Sequence, residues 1–521
     1  MEDIITNLDL KNRLNLFKED LLLSKKYSLI YVILLLILTL TRFGIQNYLH
    51  PKMEIFGFIV LSVLGIFCIA YYIGHRADEE LYKTAFVILL VFGIVCSFIL
   101  PICYGPDEVE HFVRSEMTSR GILFPQHVNG SYQTIQSILD LIEVGKVTYG
   151  PFDDTDLVNS TIFKTTADTL PINTTLVPYP NAFAQNPFYG YLAQAVGILF
   201  AKLLNLNAIW LLWLGRIFNT LLYASLVAVA VKKSPILKIP LIAFACVPFA
   251  IYLEGTISID SLMGGLGILI VAYFFYLYKC PEITYKHVIK YSLLVVMLGT
   301  CKVTYFAFIL LLIFLPRANF VHKKYYLYGF VMIFISVIIA FLWSRYYAYP
   351  GYYQSGFRVF YANVNHINST QQVSYILAHK KQTIIEMIQI FSNFNPDFLF
   401  TDFLFKDIDF NMMNLLFLGA LTFFYPTDKF RMKTRIGALI MGVLLYVGTY
   451  VISLITWTPI GQIKLIEGVQ LRYFIPLLAL LPFIFSFNHM TGDKSELDTY
   501  IITLTIAFIS IRLMGFLTAA Y

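Results

Sequence analysis

The chain has 521 residues, 58% of them hydrophobic and only 13% charged, with a formal net charge of +6 and a mean hydropathy of +0.70. Soluble domains carry about 25% charged residues, so a soluble protein is excluded. The small basic excess gathers in particular loops, which reads as membrane topology and not as a nucleic-acid surface.

Many apolar runs reach the roughly 20 residues needed to cross a bilayer. Their alternation with polar loops argues for helices, because a β-barrel would show short alternating segments. The expected class is an all-α polytopic membrane protein. Cys68, Cys96, Cys103, Cys246, Cys280 and Cys301 lie in or beside apolar runs, with neither metal-ligand spacing nor a disulfide framework. The first apolar run follows a charged amphipathic segment and is long enough to span, so it does not read as a cleaved signal.

In chain order, Lys11, Arg13, Lys18, Lys25 and Lys26 place the N-terminus in the cytoplasm by the positive-inside rule. Spans follow at about 28–47, 54–74 and 84–102, and the loop with His75, Arg76 and Lys83 falls inside. The stretch 103–187 then forms a first external insertion. A full crossing by 188–204 would put three consecutive basic loops outside: Lys232, Lys233 and Lys238; Lys279, Lys286 and Lys290; and Arg317, Lys323 and Lys324. A segment that dips in and returns keeps all three inside, so 188–204 is expected to be re-entrant or interfacial. Further spans are expected near 207–231, 237–255, 261–279, 287–300, 303–316, 325–345, 408–425, 434–456, 472–487 and 499–517. The total is about thirteen, with the C-terminus outside. A second external insertion covers 346–407 and contains an amphipathic stretch near 371–391. No internal repeat is evident.

The candidate chemistry collects on the external side. In "YGPDEVEHFVRSE", Asp107 and Glu108 stand three to four residues before His111 on a short helix, which sets an acid and the histidine on one face. Pro106 and the acids equally suit the first turn of a helix as a cap. Arg114 lies on the same segment. Glu254 and Asp260 flank the turn in "EGTISIDS", where an acid at a helix start is also a cap candidate. Lys302 interrupts an apolar stretch, so it faces a cavity or partner, or snorkels between two short helices. Arg472 and Tyr473 in "EGVQLRYFIP" sit at the outer end of a span. There an arginine fork suits phosphate, and a tyrosine suits the interface. Arg216 lies within a span and requires either a polar cavity or an ion-pair partner. The acidic run Asp153, Asp154 and Asp156 reads as a solvated loop. No Walker-type phosphate loop and no G-x-S-x-G elbow is present, which argues against ATP-driven chemistry and a serine hydrolase.

Acids beside a membrane-embedded site with fixed cations suit a lipid-phosphate substrate, an aspartate acting as general base and the cations holding a phosphate leaving group. A family resemblance points the same way. "PDEVEHFVRS" resembles the P-D-E-x-x-H-F signature of bacterial multi-pass membrane proteins long catalogued as a domain of unknown function and grouped with the GT-C glycosyltransferase superfamily. "LGRIFNTLLY", "SIDSLMGGLGIL" and "GVQLRYFIPLLALLP" are similar to three further motifs in the same order, and Lys302 fits a lysine of its short-helix region. Leu471 and Ile259 depart from the usual glycine and proline.

The resemblance runs from about 85 to 490. It implies a GT-C-like transmembrane domain over 84–490, with a cytoplasmic segment and N-terminal hairpin at 1–83 and a C-terminal helix at 491–521. It implies a polyprenyl-phosphate-linked sugar donor and a cell-envelope glycan acceptor at the external face of a bacterial plasma membrane. Transfer would be inverting. Asp107, neighboured by Glu108, would be the base, and His111, Arg114, Arg216, Asp260, Lys302, Arg472 and Tyr473 would contact substrate. A divalent cation (Mg or Mn) on Asp107, Glu108 and Asp260 stays open. The rival reading is a transporter or flippase of the lipid-linked glycan, and a scaffolding subunit is a third.

Overall fold

The computed structural model describes residues 15–43, 51–145, 168–354, 356–392, 408–489 and 493–520. Lys11, Arg13, the acidic run Asp153, Asp154 and Asp156, and the 393–407 part of the second insertion lie outside the described residues.

The chain is a helical membrane bundle. Lipid offers no partner to backbone N–H and C=O groups, so each apolar run satisfies them internally as a helix. Among the described residues, seven helices are long and apolar enough to cross a bilayer, or eight if the bent pair Asn15–Leu23 and Lys25–Leu40 is one span. The helices used below are α1 (Lys25–Phe43), α2 (Pro51–Gly74), α3 (Leu81–Ile99), α4 (Glu108–Ser119), α5 (Gln136–Val144), α6 (Leu192–Leu203) and α7 (Ile209–Lys233). They continue with α8 (Lys238–Ala245), α9 (Pro248–Glu254), α10 (Asp260–Lys279), α11 (Tyr285–Cys301) and α12 (Lys323–Trp343). The last are α13 (Ser369–Ala378), α14 (Lys380–Ser392), α15 (Ile408–Phe424), α16 (Met432–Thr456) and α17 (Ser495–Ala520).

The remaining expected spans map onto shorter or broken pieces. The 237–255 run divides into α8 and α9 because Pro248 cannot continue the helix before it. The 472–487 run divides into helices Ile475–Leu478 and Leu481–Phe485, each with a proline in its first turn. The 303–316 run winds as a 3-10 helix, Val303–Phe314. In the other direction, the helix expected to end near 345 continues through a π turn, Ser344–Ala348, into Tyr349–Gln354. The Tyr349 N–H reaches Ser344 O across that turn, and Pro350, which has no N–H, follows within the first turn of the new helix. The second insertion therefore begins later than its sequence boundary.

Helix α6 has 12 residues, about 18 Å at 1.5 Å per residue, too short to cross about 30 Å of hydrocarbon by itself. It folds back on α7, with Gly197 lying against the backbone of Leu214, where a side chain would collide. The first two helices are not a separate appendage. The Tyr31 hydroxyl bonds Leu61 O of α2 at 2.7 Å and the Ser510 hydroxyl of α17 at 2.8 Å, all buried. The N-terminal hairpin and the last helix thus pack as one layer. Within α17 the Thr503 and Thr505 hydroxyls each bond the carbonyl four residues earlier at 2.8 Å, which hides their polarity inside the bundle.

The first insertion holds α4, α5 and a two-stranded antiparallel sheet, β1 (Tyr132–Ile135) with β2 (Leu176–Tyr179), in the register Tyr132 to Tyr179 and Ile135 to Leu176. Its own apolar core includes Phe112, Val113, Ile138 and Leu141, together with Leu211 and Leu212 of α7. The described part of the insertion is therefore packed against the bundle.

Candidate functional site

Helix α3 ends at Ile99, and Pro101 with Gly105-Pro106 carries the chain into α4. The break leaves backbone carbonyls without helical partners, and Arg216 of α7 takes them. Its Nη1 donates to Ser97 O (3.0 Å) and Leu100 O (2.8 Å), and its Nη2 donates to Pro101 O (2.7 Å). The same guanidinium forks onto Glu108, Nε to Oε1 at 2.8 Å and Nη2 to Oε2 at 2.7 Å. Glu108 also accepts Gly105 N (2.9 Å) and Ile257 N (2.8 Å). All five arginine N–H groups are used, and both side chains are fully buried. Arg216 has therefore found its partner in the acid beside Asp107. The pair clamps the end of α3, the start of α4 and the 255–259 loop together.

That loop carries Asp260 at the first turn of α10. Asn219 holds it from α7 by donating to Thr256 O and to the Ser261 hydroxyl, both at 2.6 Å. Gln194 of α6 donates to Asn219 Oδ1 (2.6 Å) and to Ser258 O (2.9 Å). The Ser258 hydroxyl then donates to Asp260 Oδ2 at 2.8 Å and accepts the Asp260 N–H at 3.0 Å. The sequence marked Asn219 only as part of the "LGRIFNTLLY" motif, and Gln194 was overlooked. For Gln194 the signal was that an amide in an apolar helix needs a partner.

Asp107 precedes α4 in the left-handed region, at φ 57°, a conformation that aspartate tolerates better than most residues. It is the only exposed residue between 101 and 118. Its carboxylate pairs with Arg472 Nη2. Arg472 sits in a 3-10 turn, Leu471–Phe474, ahead of Pro476. Its Nε lies 3.2 Å from Asp260 Oδ2, and its Nη1 reaches Pro106 O at 3.5 Å. One buried guanidinium thus joins two acids from separate elements. Gly267 of α10 permits the approach: a β-carbon there would strike the ring of Pro476.

Lys302 occupies the extended break between α11 and the Val303–Phe314 helix. Its Nζ stands 2.9 Å from the centroid of the Tyr473 ring, a cation–π contact. The Tyr305 hydroxyl donates to Tyr473 O at 2.9 Å and holds that turn. Among the described residues, no acid or carbonyl receives the Lys302 ammonium, so its N–H groups are unspent.

The remaining candidates surround this cluster without entering it. His111 lies one turn beyond Asp107, stacks on Phe183 at 5.0 Å, and has Nδ1 2.8 Å from the Tyr191 hydroxyl. Asn186 donates to that hydroxyl at 2.9 Å, leaving its hydrogen for His111. Burial pushes the imidazole down to about 4, outweighing the pull of Asp260 and Asp107, so it is neutral at pH 7. Arg114 turns away from the cluster and binds the Thr118 hydroxyl (2.7 Å) and Leu123 O (3.0 Å), which pins the loop after α4. Glu110 accepts the Tyr179 hydroxyl at 2.9 Å and Ala182 N at 2.7 Å. Glu116 is paired with Arg120 at 2.8 Å and Lys202 at 2.9 Å. The acidic patch of the sequence therefore divides. Three of its four carboxylates brace the insertion, and only Asp107 remains open.

The donor set does not suit a resident divalent ion. No group of three or more His, Cys, Asp or Glu among the described residues is arranged to hold one. Arg472 already bridges Asp107 and Asp260, and Glu108 is saturated by Arg216.

Residues 90–481 match the model of a family described as predicted membrane protein (DUF2142). No curated protein and no solved structure matches the chain.

Proposed function

The chain belongs to the DUF2142 family of predicted membrane proteins, and we propose that it is an inverting membrane glycosyltransferase that uses a polyprenyl-phosphate-linked sugar. One observation carries the reading: the single exposed carboxylate of the α4 segment, Asp107, pairs with Arg472, and Lys302 lies on the ring of the neighbouring Tyr473 with unspent N–H groups.

In this reading the donor phosphate occupies Lys302 and Arg472, with Tyr473 shaping the lysine's position. Fixed cations there stabilise the charge that grows on the phosphate as it leaves. The acceptor hydroxyl oxygen attacks the anomeric carbon from the face opposite the phosphate. The bond from that carbon to the phosphate oxygen breaks as the glycosidic bond forms. The phosphate departs with the bonding electrons, and the hydroxyl proton passes to Asp107. Asp260 keeps Arg472 aimed, and neutral His111 packs behind Asp107 without adding charge. Glu108, Arg216 and Arg114 act as scaffold. By the positive-inside pattern, the N-terminus is cytoplasmic and the site opens on the outer side of a bacterial plasma membrane, where a cell-envelope glycan is the acceptor.

The test is transfer from a panel of polyprenyl-phosphate [14C]-sugars to membrane glycan acceptors, wild type beside Asp107→Asn. Transfer by the wild type alone, with the variant down about 10²–10⁴-fold, is expected. Movement of the lipid-linked sugar across proteoliposomes with no transfer from any donor would replace the enzyme by a flippase.

A further inference from the structure

The amphipathic stretch of the second insertion folds as two short helices, α13 and α14, separated by His379. They are tied to the loop that leads to Arg472. Gln372 of α13 donates to Gln462 O at 3.1 Å and accepts Gly461 N at 2.8 Å. Phe391 of α14 packs on Tyr446 and Tyr450 of α16, with ring centroids 5.5 and 5.2 Å apart, and Tyr446 in turn meets Phe474. Among the described residues, the pair is therefore held against the bundle on one side only.

The other side is open and has an order to it. Lys380 and Lys381 start α14, and Lys464 faces them from the loop across a cavity of about 590 Å³. None of the three lysines has an acidic partner within 4 Å among the described residues. Glu386, the one acid in the lining, is buried and receives the Gln382 side-chain amide at 2.9 Å. Two lysines at a helix start oppose the helix dipole, so the local structure does not favour them by itself. One to two turns further along the same outward face come Ile384, Ile385 and Ile388, which are 59%, 45% and 60% exposed. The face thus reads cation first and hydrocarbon second, over about 12 Å of helix.

We infer that this face is a binding site for an anionic phospholipid of the bilayer. Its phosphate sits among Lys380, Lys381 and Lys464, and its acyl chain runs over Ile384, Ile385 and Ile388. The order of charge and apolar surface along α14 is the order of headgroup and tail in such a lipid, and a phosphate without a tail would leave the isoleucines uncovered. The site is separate from the Asp107 cluster and holds whatever reaction that cluster performs. Docking it on the leaflet would fix the height of the 457–470 loop, and through it Arg472, relative to the headgroups.

The test uses the full chain, purified in mild detergent, titrated with phosphatidylglycerol or phosphatidylcholine of the same acyl chains and read by native mass spectrometry. Each lysine near an anionic surface is worth about fivefold in affinity, so three predict that Lys380→Gln/Lys381→Gln/Lys464→Gln weakens the tightest phosphatidylglycerol by about 100-fold. Phosphatidylcholine binding should not change. Ile384→Ser/Ile388→Ser should weaken the same lipid by at least about tenfold. All the substituted side chains are exposed, and retained gel-filtration behaviour will show that the variants fold. Equal phosphatidylglycerol binding by the lysine variant and wild type overturns the site. So does displacement of the lipid by inorganic phosphate at equal affinity, which would make it a phosphate site indifferent to the tail.

Discussion

Two neighbouring carboxylates, Asp107 and Glu108, should give opposite phenotypes, and the structure says which way round. Glu108 is fully buried and accepts four hydrogen bonds, two from Arg216 and one each from Gly105 and Ile257. In Glu108→Gln the amide nitrogen must replace one oxygen. Whichever oxygen it replaces, two N–H groups then face a donor, and the Arg216 charge loses its counter-ion. Breaking a buried, hydrogen-bonded ion pair costs about 3–5 kcal/mol. At roughly 2 °C per kcal/mol for a chain of this size, the apparent Tm should fall by about 6–10 °C. Asp107→Asn starts from a side chain 36% exposed, and Arg472 keeps Asp260 at 3.2 Å. Its cost is below about 1 kcal/mol, or about 2 °C. The assay is intrinsic tryptophan fluorescence on heating in a single detergent, with both variants and wild type run together. If Glu108→Gln melts within about 2 °C of Asp107→Asn, the clamp carries no stability and the division of roles among the acids is wrong.

Two further outcomes are expected. Gly267→Ala places a methyl group against Pro476, at an overpacking cost of about 1–3 kcal/mol. The strain falls on the turn that carries Arg472, so sugar transfer should drop more than Tm does, and equal transfer by this variant and wild type would count against the proposed role of Arg472. The His111 imidazole is pushed down to about 4 from an ordinary value near 6.5, so between those pH values the unfolded chain binds the extra proton. Stability from this group is therefore complete above pH 6.5 and is lost as pH falls towards 4, by about 3 kcal/mol in total. The Tm difference between wild type and His111→Asn, measured from pH 7 to pH 4, should shrink accordingly. A difference that stays constant with pH would mean that the ring is not held neutral.

Much of the framework was legible in the chain itself, and for one reason. Run length and mean hydropathy are properties of consecutive residues, and the bilayer supplies a fixed ruler to compare them with. This is why α2, α3, α7, α10, α16 and α17 lie close to their expected spans. The count of about thirteen exceeds the seven or eight long helices of the described residues because hydropathy does not register where a run is cut, and because three further runs form helices of 12 to 17 residues. Pro248, Pro476 and Pro482 break apolar stretches without altering their composition. The short β1–β2 pair in the first insertion was not anticipated, since strands of four residues carry almost no periodic signal.

The candidate site divides along the same line. Local pattern marked the α4 acids, Asp260, Lys302 and Arg472 as residues that need a reason to be where they are, because ionisable groups at membrane depth are costly. It also showed that Arg216 required a partner. Which acid would supply that partner was beyond it. Glu108 and Arg216 are 108 positions apart, and Asp107 and Arg472 are 365 apart. Whether a carboxylate is spent or open depends on which donors the packed helices bring to it, and donors from distant segments leave no mark in the neighbouring sequence. The sequence by itself determined that this is a helical membrane protein with a cluster of ionisable residues at 104–116. Only the tertiary structure decided that Asp107, and not Glu108 beside it, stays partly exposed and pairs with Arg472.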